Sequence, residues 1–179
     1  MLTTENTILL VIDFQERMIN TIRNHDEIVQ KTATMIKGCR LLEVPILTTQ
    51  QYTKGLGETI ETLKEALGNF EHIEKITFSC YIDKTFEEAL RKAERKNVIV
   101  TGIEAHICVQ QTVLHLLEAG YNVYLIADCI GSRSENDFLY AIKRMQQAGA
   151  AITTTESALF EMLIRADHPK RKDITNLVK

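Results

Sequence analysis

Ile8-Leu9-Leu10-Val11-Ile12-Asp13 is an unbroken apolar run closed by a carboxylate, and its reading decides the fold. A strand with one wet face alternates apolar and polar residues. A continuous apolar run this short belongs to a strand covered on both faces, as in a parallel sheet. Comparable runs stand at Pro45–Gln50, Ile73–Phe78, Asn97–Gly102, Asn122–Ala127 and Ala151–Thr154. Between them, His25–Leu42, Glu58–Leu67, Thr85–Arg95, Ala105–Ala119, Glu135–Ala148 and Glu156–Ile164 carry the helical period. One such stripe runs Val29, Ala33, Ile36, Cys39, Arg40, with Lys31 and Lys37 facing water. Gly120 and Gly149 follow the ends of two of these segments, where helices stop. The alternation predicts an α/β fold, a three-layer α/β/α sandwich around a mostly parallel, six-stranded, Rossmann-like sheet. With no repeat or linker, residues 1–179 read as one domain.

Composition narrows the function. Lys and Arg total 21 against 24 for Asp and Glu, a formal net charge of −3, which offers no general positive field for nucleic acid. The four cysteines, Cys39, Cys80, Cys108 and Cys129, form no CxxC pair, so neither a zinc knuckle nor a thioredoxin motif is expected. A reducing compartment suits them better than a disulfide scaffold. The apolar runs are too short to span a bilayer, and Met1–Asn6 has no basic n-region. The expected setting is cytoplasmic, without a membrane partner.

Open parallel sheets bind ligands at the carboxyl ends of their strands, near a reversal of strand order. Three chemically active residues fall there. Asp13 closes the first strand, where a charge is costly unless paired or functional; its plainer reading is a loop-starting cap. Cys108 falls in the first turn after a strand, where unpaired amides and the helix dipole lower a thiol pKa; its plainer reading is a small buried hydrophobe. Lys75 interrupts the apolar stretch Ile73–Phe78, and near the other two its ammonium holds a carboxylate ionised and favours a thiolate. On a surface strand it simply points outward.

Read together, the residues carry a resemblance. The strand ending Asp13-Phe14-Gln15, the segment Lys75-Ile76-Thr77-Phe78-Ser79 and the run Gly102-Ile103-Glu104-Ala105-His106-Ile107-Cys108-Val109 resemble the isochorismatase-like cysteine hydrolases. That superfamily holds the nicotinamidases and carbamoylsarcosine amidases, and the likeness covers nearly the whole chain. It is nearest to the small isochorismatase domain-containing proteins of unknown substrate, which share Gly55-Leu56-Gly57. The resemblance implies a catalytic triad of Asp13, Lys75 and Cys108. It also implies a cis peptide at Ile103–Glu104 and an oxyanion hole from the backbone amides of Glu104 and Cys108. The implied chemistry is hydrolysis of a small amide or related acyl compound through a thioester, with no cofactor.

The nicotinamidase branch resembled here carries a metal site after the second strand. Gln50 and Tyr52 stand where its ligands would fall, and an amide and a phenol are poor substitutes, so no metal is expected. True isochorismatases lack the cysteine, which points away from vinyl-ether hydrolysis. His106 precedes Cys108 by two residues, and His115 follows it by seven, about 10 Å along a helix. A Cys-His dyad is therefore disfavoured. Pocket walls are expected from Phe14, Gln50, Tyr52, Phe78, Tyr81, His106 and Ile107, a mostly apolar set that fits a small flat or aliphatic acyl group. Cys80, near Lys75 in the chain, reads as packing before redox pairing. The basic tail of Arg165, Lys170, Arg171 and Lys172 reads as a solvated end. The resemblance and the helix Glu135–Ala148 lead to an expected homo-oligomer. Two other classes compete with the hydrolase: an idle binding or scaffold protein of the same fold and, weakest, a ribonuclease.

Overall fold

The computed structural model describes residues 1–179. Six strands, β1 (Thr7–Ile12), β2 (Ile46–Gln51), β3 (His72–Lys75), β4 (Asn97–Ile103), β5 (Asn122–Gly131) and β6 (Ala151–Thr153), form one sheet in the order β3-β2-β1-β4-β5-β6. Every neighbouring pair is parallel. The helices are α1 (Glu16–Ile19), α2 (His25–Leu41), α3 (Thr53–Leu56), α4 (Glu61–Leu67), α5 (Lys84–Lys92), α6 (Gln110–Glu118), α7 (Glu135–Gln147), α8 (Thr155–Leu163) and α9 (Arg171–Val178). A π-helical turn, Ala105–Val109, leads into α6. None of the helices is long and apolar enough to cross a membrane.

The apolar run of β1 explains the layering. Its side chains alternate between faces. Leu9 and Val11 join the core formed with α2, α4, α8 and α9, whereas Ile8, Leu10 and Ile12 join the core formed with α5, α6 and α7. Both cores are apolar, so both parities of the strand must be apolar. Burying those five side chains contributes about 10 kcal/mol of gross transfer free energy.

Several elements differ from the sequence reading. β3 stops at Lys75, and Ile76 and Phe78 lie exposed in the following loop rather than in a strand. β5 runs on to Gly131 because a register shift against β4, between Val100 and Gly102, lets Cys129 and Ile130 stay buried beside Gly102 and Ile103. The basic side chains Arg165, Lys170, Arg171 and Lys172 are exposed, as expected, but the chain does not end as a free tail. Its last residues form α9, which packs on α2 and α8 and buries Ile174 completely.

One glycine is demanded by close approach. A Cβ on Gly102, which has φ +153°, would stand 2.5 Å from Ile12 Cβ and 2.9 Å from Ile12 O. No other residue lets β4 turn toward the end of β1 there.

Candidate active site

The strand order reverses between β1 and β4, so their carboxyl ends flank the switch point of the sheet. Ile12 lies in register with Gly102, which puts Asp13 beside the Ile103–Glu104 peptide. That peptide is cis. Asp13 takes a left-handed backbone conformation, φ 54°, and is buried. Lys75 ends β3, two strands away or roughly 10 Å by the usual spacing. Its long stem crosses the end of β2, and Nζ meets Asp13 Oδ2 at 2.6 Å with the lysine fully buried. The ammonium also donates to Gln51 Oε1 at 2.7 Å and to the carbonyls of Thr77 and Phe78 at 3.1 and 3.2 Å. A buried cation requires such a cage. Burial works to lower the Lys75 pKa, but the Asp13 charge, the neighbouring thiols and the Asp13 hydrogen bond outweigh it, and the net direction is upward.

Cys108 sits in the π-helical turn and lines a cavity of about 90 Å³ together with Asp13, Gln51 and Glu104. Met18, Leu56, Phe78, Ile103 and Ile107 complete the wall. The sequence reading expected the turn to lower the thiol pKa. Instead burial, followed by the Asp13 charge, pushes it well above the usual thiol range, with Lys75 only partly opposing. Desolvation outweighs the turn dipole here because the sulfur is buried beside an anion. At neutral pH the group is a thiol facing a carboxylate, an arrangement suited to proton transfer during attack rather than before it.

The turn that carries Cys108 is held from outside. Buried Glu104 accepts from the Arg133 backbone N–H and from Arg133 Nε, each at 3.0 Å. His106 Nδ1 and Ser132 Oγ lie 2.9 Å apart. Thr112 Oγ1 donates to the Cys108 carbonyl at 2.7 Å and accepts from the Cys80 amide at 2.9 Å. The Glu104 amide itself donates to no group of the chain.

Of the expected pocket walls, Phe78 and Ile107 reach the cavity. The others do not. Phe14 is a core residue on the α2 face, 1% exposed. Gln50 points away from the cavity and bonds Glu58, Thr59 and Thr53. Tyr52 is 49% exposed, its ring lying over Gly55. Tyr81 packs edge-on against Tyr121 at 6.1 Å. His106 is turned to Ser132, and His115 Nδ1 lies 2.9 Å from Ser79 Oγ. The sequence reading missed Thr49 and Gln51. Gln51 carried a legible signal: β2 runs one residue further than expected, and in a strand one residue changes the face. Gln51, in register with Lys75, therefore faces the site that Gln50 was assigned. Cys80 lies in the same buried neighbourhood, its thiol pushed up to about 12 chiefly by burial.

No group of three or more His, Cys, Asp or Glu side chains is arranged to hold a metal ion. Two larger cavities lie elsewhere. One of about 270 Å³ lies between the start of α2 and α7, and one of about 780 Å³ lies along β2 and β3 below α5; neither is lined by a cysteine.

The parallel α/β sheet with helices on both faces matches what comparison shows. The model of the isochorismatase domain matches residues 7–157, and the chain belongs to the isochorismatase family, a family of hydrolases. Isochorismatase family protein 1A of Dictyostelium discoideum is 38% identical over 98% of this chain and 87% of that protein. The structure of a protein named MAR1 ribonuclease from Caenorhabditis elegans superposes with TM-score 0.93, at 40% identity over 99% of this chain and 91% of that one. The YcaC gene product of Escherichia coli, described as an octameric hydrolase of unknown specificity, shares the fold. Its TM-score is 0.89, at 22% identity over 98% of this chain and 86% of that one.

Proposed function

We propose that the protein hydrolyses a small amide or related acyl compound through a thioester on Cys108. The supporting observation is that Cys108 shares one small cavity with the Asp13 carboxylate, itself fixed by Lys75 at 2.6 Å. As Cys108 sulfur attacks the acyl carbon, its proton passes to Asp13. The carbonyl oxygen becomes an oxyanion beside the unpartnered Glu104 amide, with the Cys108 amide as the expected second donor. The C–N bond then breaks and the amine leaves with the proton held by Asp13. Water, deprotonated by Asp13, attacks the thioester; the C–S bond breaks, the acid departs and the thiol is restored. Lys75 balances the carboxylate throughout. The test is turnover of small amides, ureas and esters, with Cys108→Ala as the blank; equal turnover by the blank ends the reading.

The ribonuclease name of the Caenorhabditis elegans protein supports a second reading. Phosphodiester chemistry needs cations for phosphate, and the cavity wall has none, while the chain carries net charge −3. RNA cleavage that survives in Cys108→Ala would favour it. A homo-oligomer is part of the proposal, supported by Leu139 and Tyr140 exposed on α7. So is a reducing, cytoplasmic setting, supported by four free cysteines.

A further inference from the structure

Resting on the hydrolase reading, we infer that the acyl group this cavity accepts is short and carries no negative charge, presenting a carbonyl oxygen and mainly apolar atoms. Every charged or amide side chain on the wall already has a partner. Asp13 is divided between Thr49 and Lys75, Gln51 donates to the Ile76 carbonyl and accepts from Lys75, and Glu104 is held by Arg133. The Glu104 amide on the wall donates to no group of the chain and is free to meet a carbonyl oxygen. No arginine, lysine or histidine lines the cavity, so a carboxylate or phosphate on the acyl group finds no counter-charge and meets the Asp13 charge instead. The remaining wall is Met18, Leu56, Phe78, Ile103 and Ile107. A cavity of about 90 Å³ is small and suits a short acyl chain. The exposed half of Phe78 marks the mouth through which the leaving amine faces solvent.

Two measurements separate this inference from the hydrolase reading. The first is alkylation of Cys108 by iodoacetamide and by iodoacetate, each rate divided by that of a free small thiol at the same pH and followed by peptide mass. The neutral reagent should be favoured at Cys108 by about thirtyfold or more beyond its advantage on the free thiol. Leu56→Lys, which adds a cation to a half-buried wall position, should bring that ratio back toward the free-thiol value. An unaltered preference, a preference for iodoacetate, no response to Leu56→Lys, or no reaction with either reagent overturns the inference. The second is turnover of acetamide, butyramide, hexanamide and the succinamate anion. Butyramide should exceed succinamate by a similar factor and hexanamide should fall away, with Ile107→Ala restoring the longer chain. Equal use of succinamate refutes the charge selection and leaves the hydrolase standing. Selective labelling without turnover of any amide refutes the hydrolase and leaves the selection standing.

Discussion

Thr49 Oγ1 donates to Asp13 Oδ1 at 2.7 Å while Lys75 takes Oδ2, so the two residues divide the carboxylate between them. This fixes the plane of the carboxylate against Cys108. Thr49→Val keeps the shape and removes the donor. An expected loss of about tenfold in kcat with little change in KM follows if the bond orients the base, together with about 1–3 kcal/mol of stability for the acceptor left short of a partner. Steady-state kinetics with urea unfolding measure both. A change confined to stability would mean that Thr49 only packs.

The sheet was legible because both parities of β1 are apolar, a signal that survives any error in boundaries. The ends of strands were less legible. Lys75 was placed in mid-strand and stands instead at the last position of β3, where its ammonium can reach over β2; no local pattern separates those positions. Phe14 is expected in the pocket, yet after the positive φ of Asp13 it lies in the core. α9 was hidden because its outer face is charged, and the single fully buried Ile174 is too sparse a stripe to reveal a helix that docks on α2. The expected low thiol pKa of Cys108 failed for another reason: desolvation depends on surroundings that the sequence does not display.

All four thiols are shifted upward by burial, Cys80 and Cys129 to about 12. An unfolded thiol ionises near 8.5. A group whose pKa is raised on folding stabilises fully below its unfolded value, and that stabilisation is lost as pH rises toward the folded value. Stability should therefore fall steeply above about pH 8.5, by about 1.4 kcal/mol per pH unit for each thiol. Urea unfolding at pH 8, 9 and 10 in the presence of reductant reads the slope, and Cys129→Ala should reduce it by the share of one thiol. A flat profile would show that the folded chain ionises its cysteines as readily as the unfolded one.

Arg133, with its side chain 60% exposed, is the only cation bonded to the buried Glu104 carboxylate. Arg133→Ala keeps the backbone bond and removes the charge. The turn carrying Cys108 should loosen, with kcat falling several-fold and stability by about 1–3 kcal/mol, less than for a fully buried pair because the guanidinium is wet. Arg133→Lys should restore stability better than kcat, since an ammonium cannot copy the paired geometry of Nε and the backbone amide. Unchanged kinetics in both variants would separate the Glu104 clamp from the chemistry.

Lys75 is the residue on which the proposed mechanism depends most. Its ammonium meets four oxygens, from Asp13, Gln51, Thr77 and Phe78, within 2.6–3.2 Å. Lys75→Ala removes the one cation opposing Asp13 and leaves those acceptors facing a cavity. Ionisation of Cys108, which Lys75 favours, then becomes harder, and that opposes attack. kcat/KM should fall by roughly a hundredfold or more, the scale of losing a positioned electrostatic group. Stability should fall by about 3–5 kcal/mol, as when one partner of a buried pair is deleted. Lys75→Met, which fills the stem's volume without the charge, should recover part of the stability and none of the activity. Lys75→Arg should recover little of either, because a planar guanidinium cannot direct its donors to four oxygens gathered around one point. The alkylation rate of Cys108 against pH gives a readout independent of substrate: in Lys75→Met its rise should move further to the alkaline side. If that profile stays in place while turnover is normal, the lysine is a structural strut and the proton-transfer scheme through Asp13 must be abandoned.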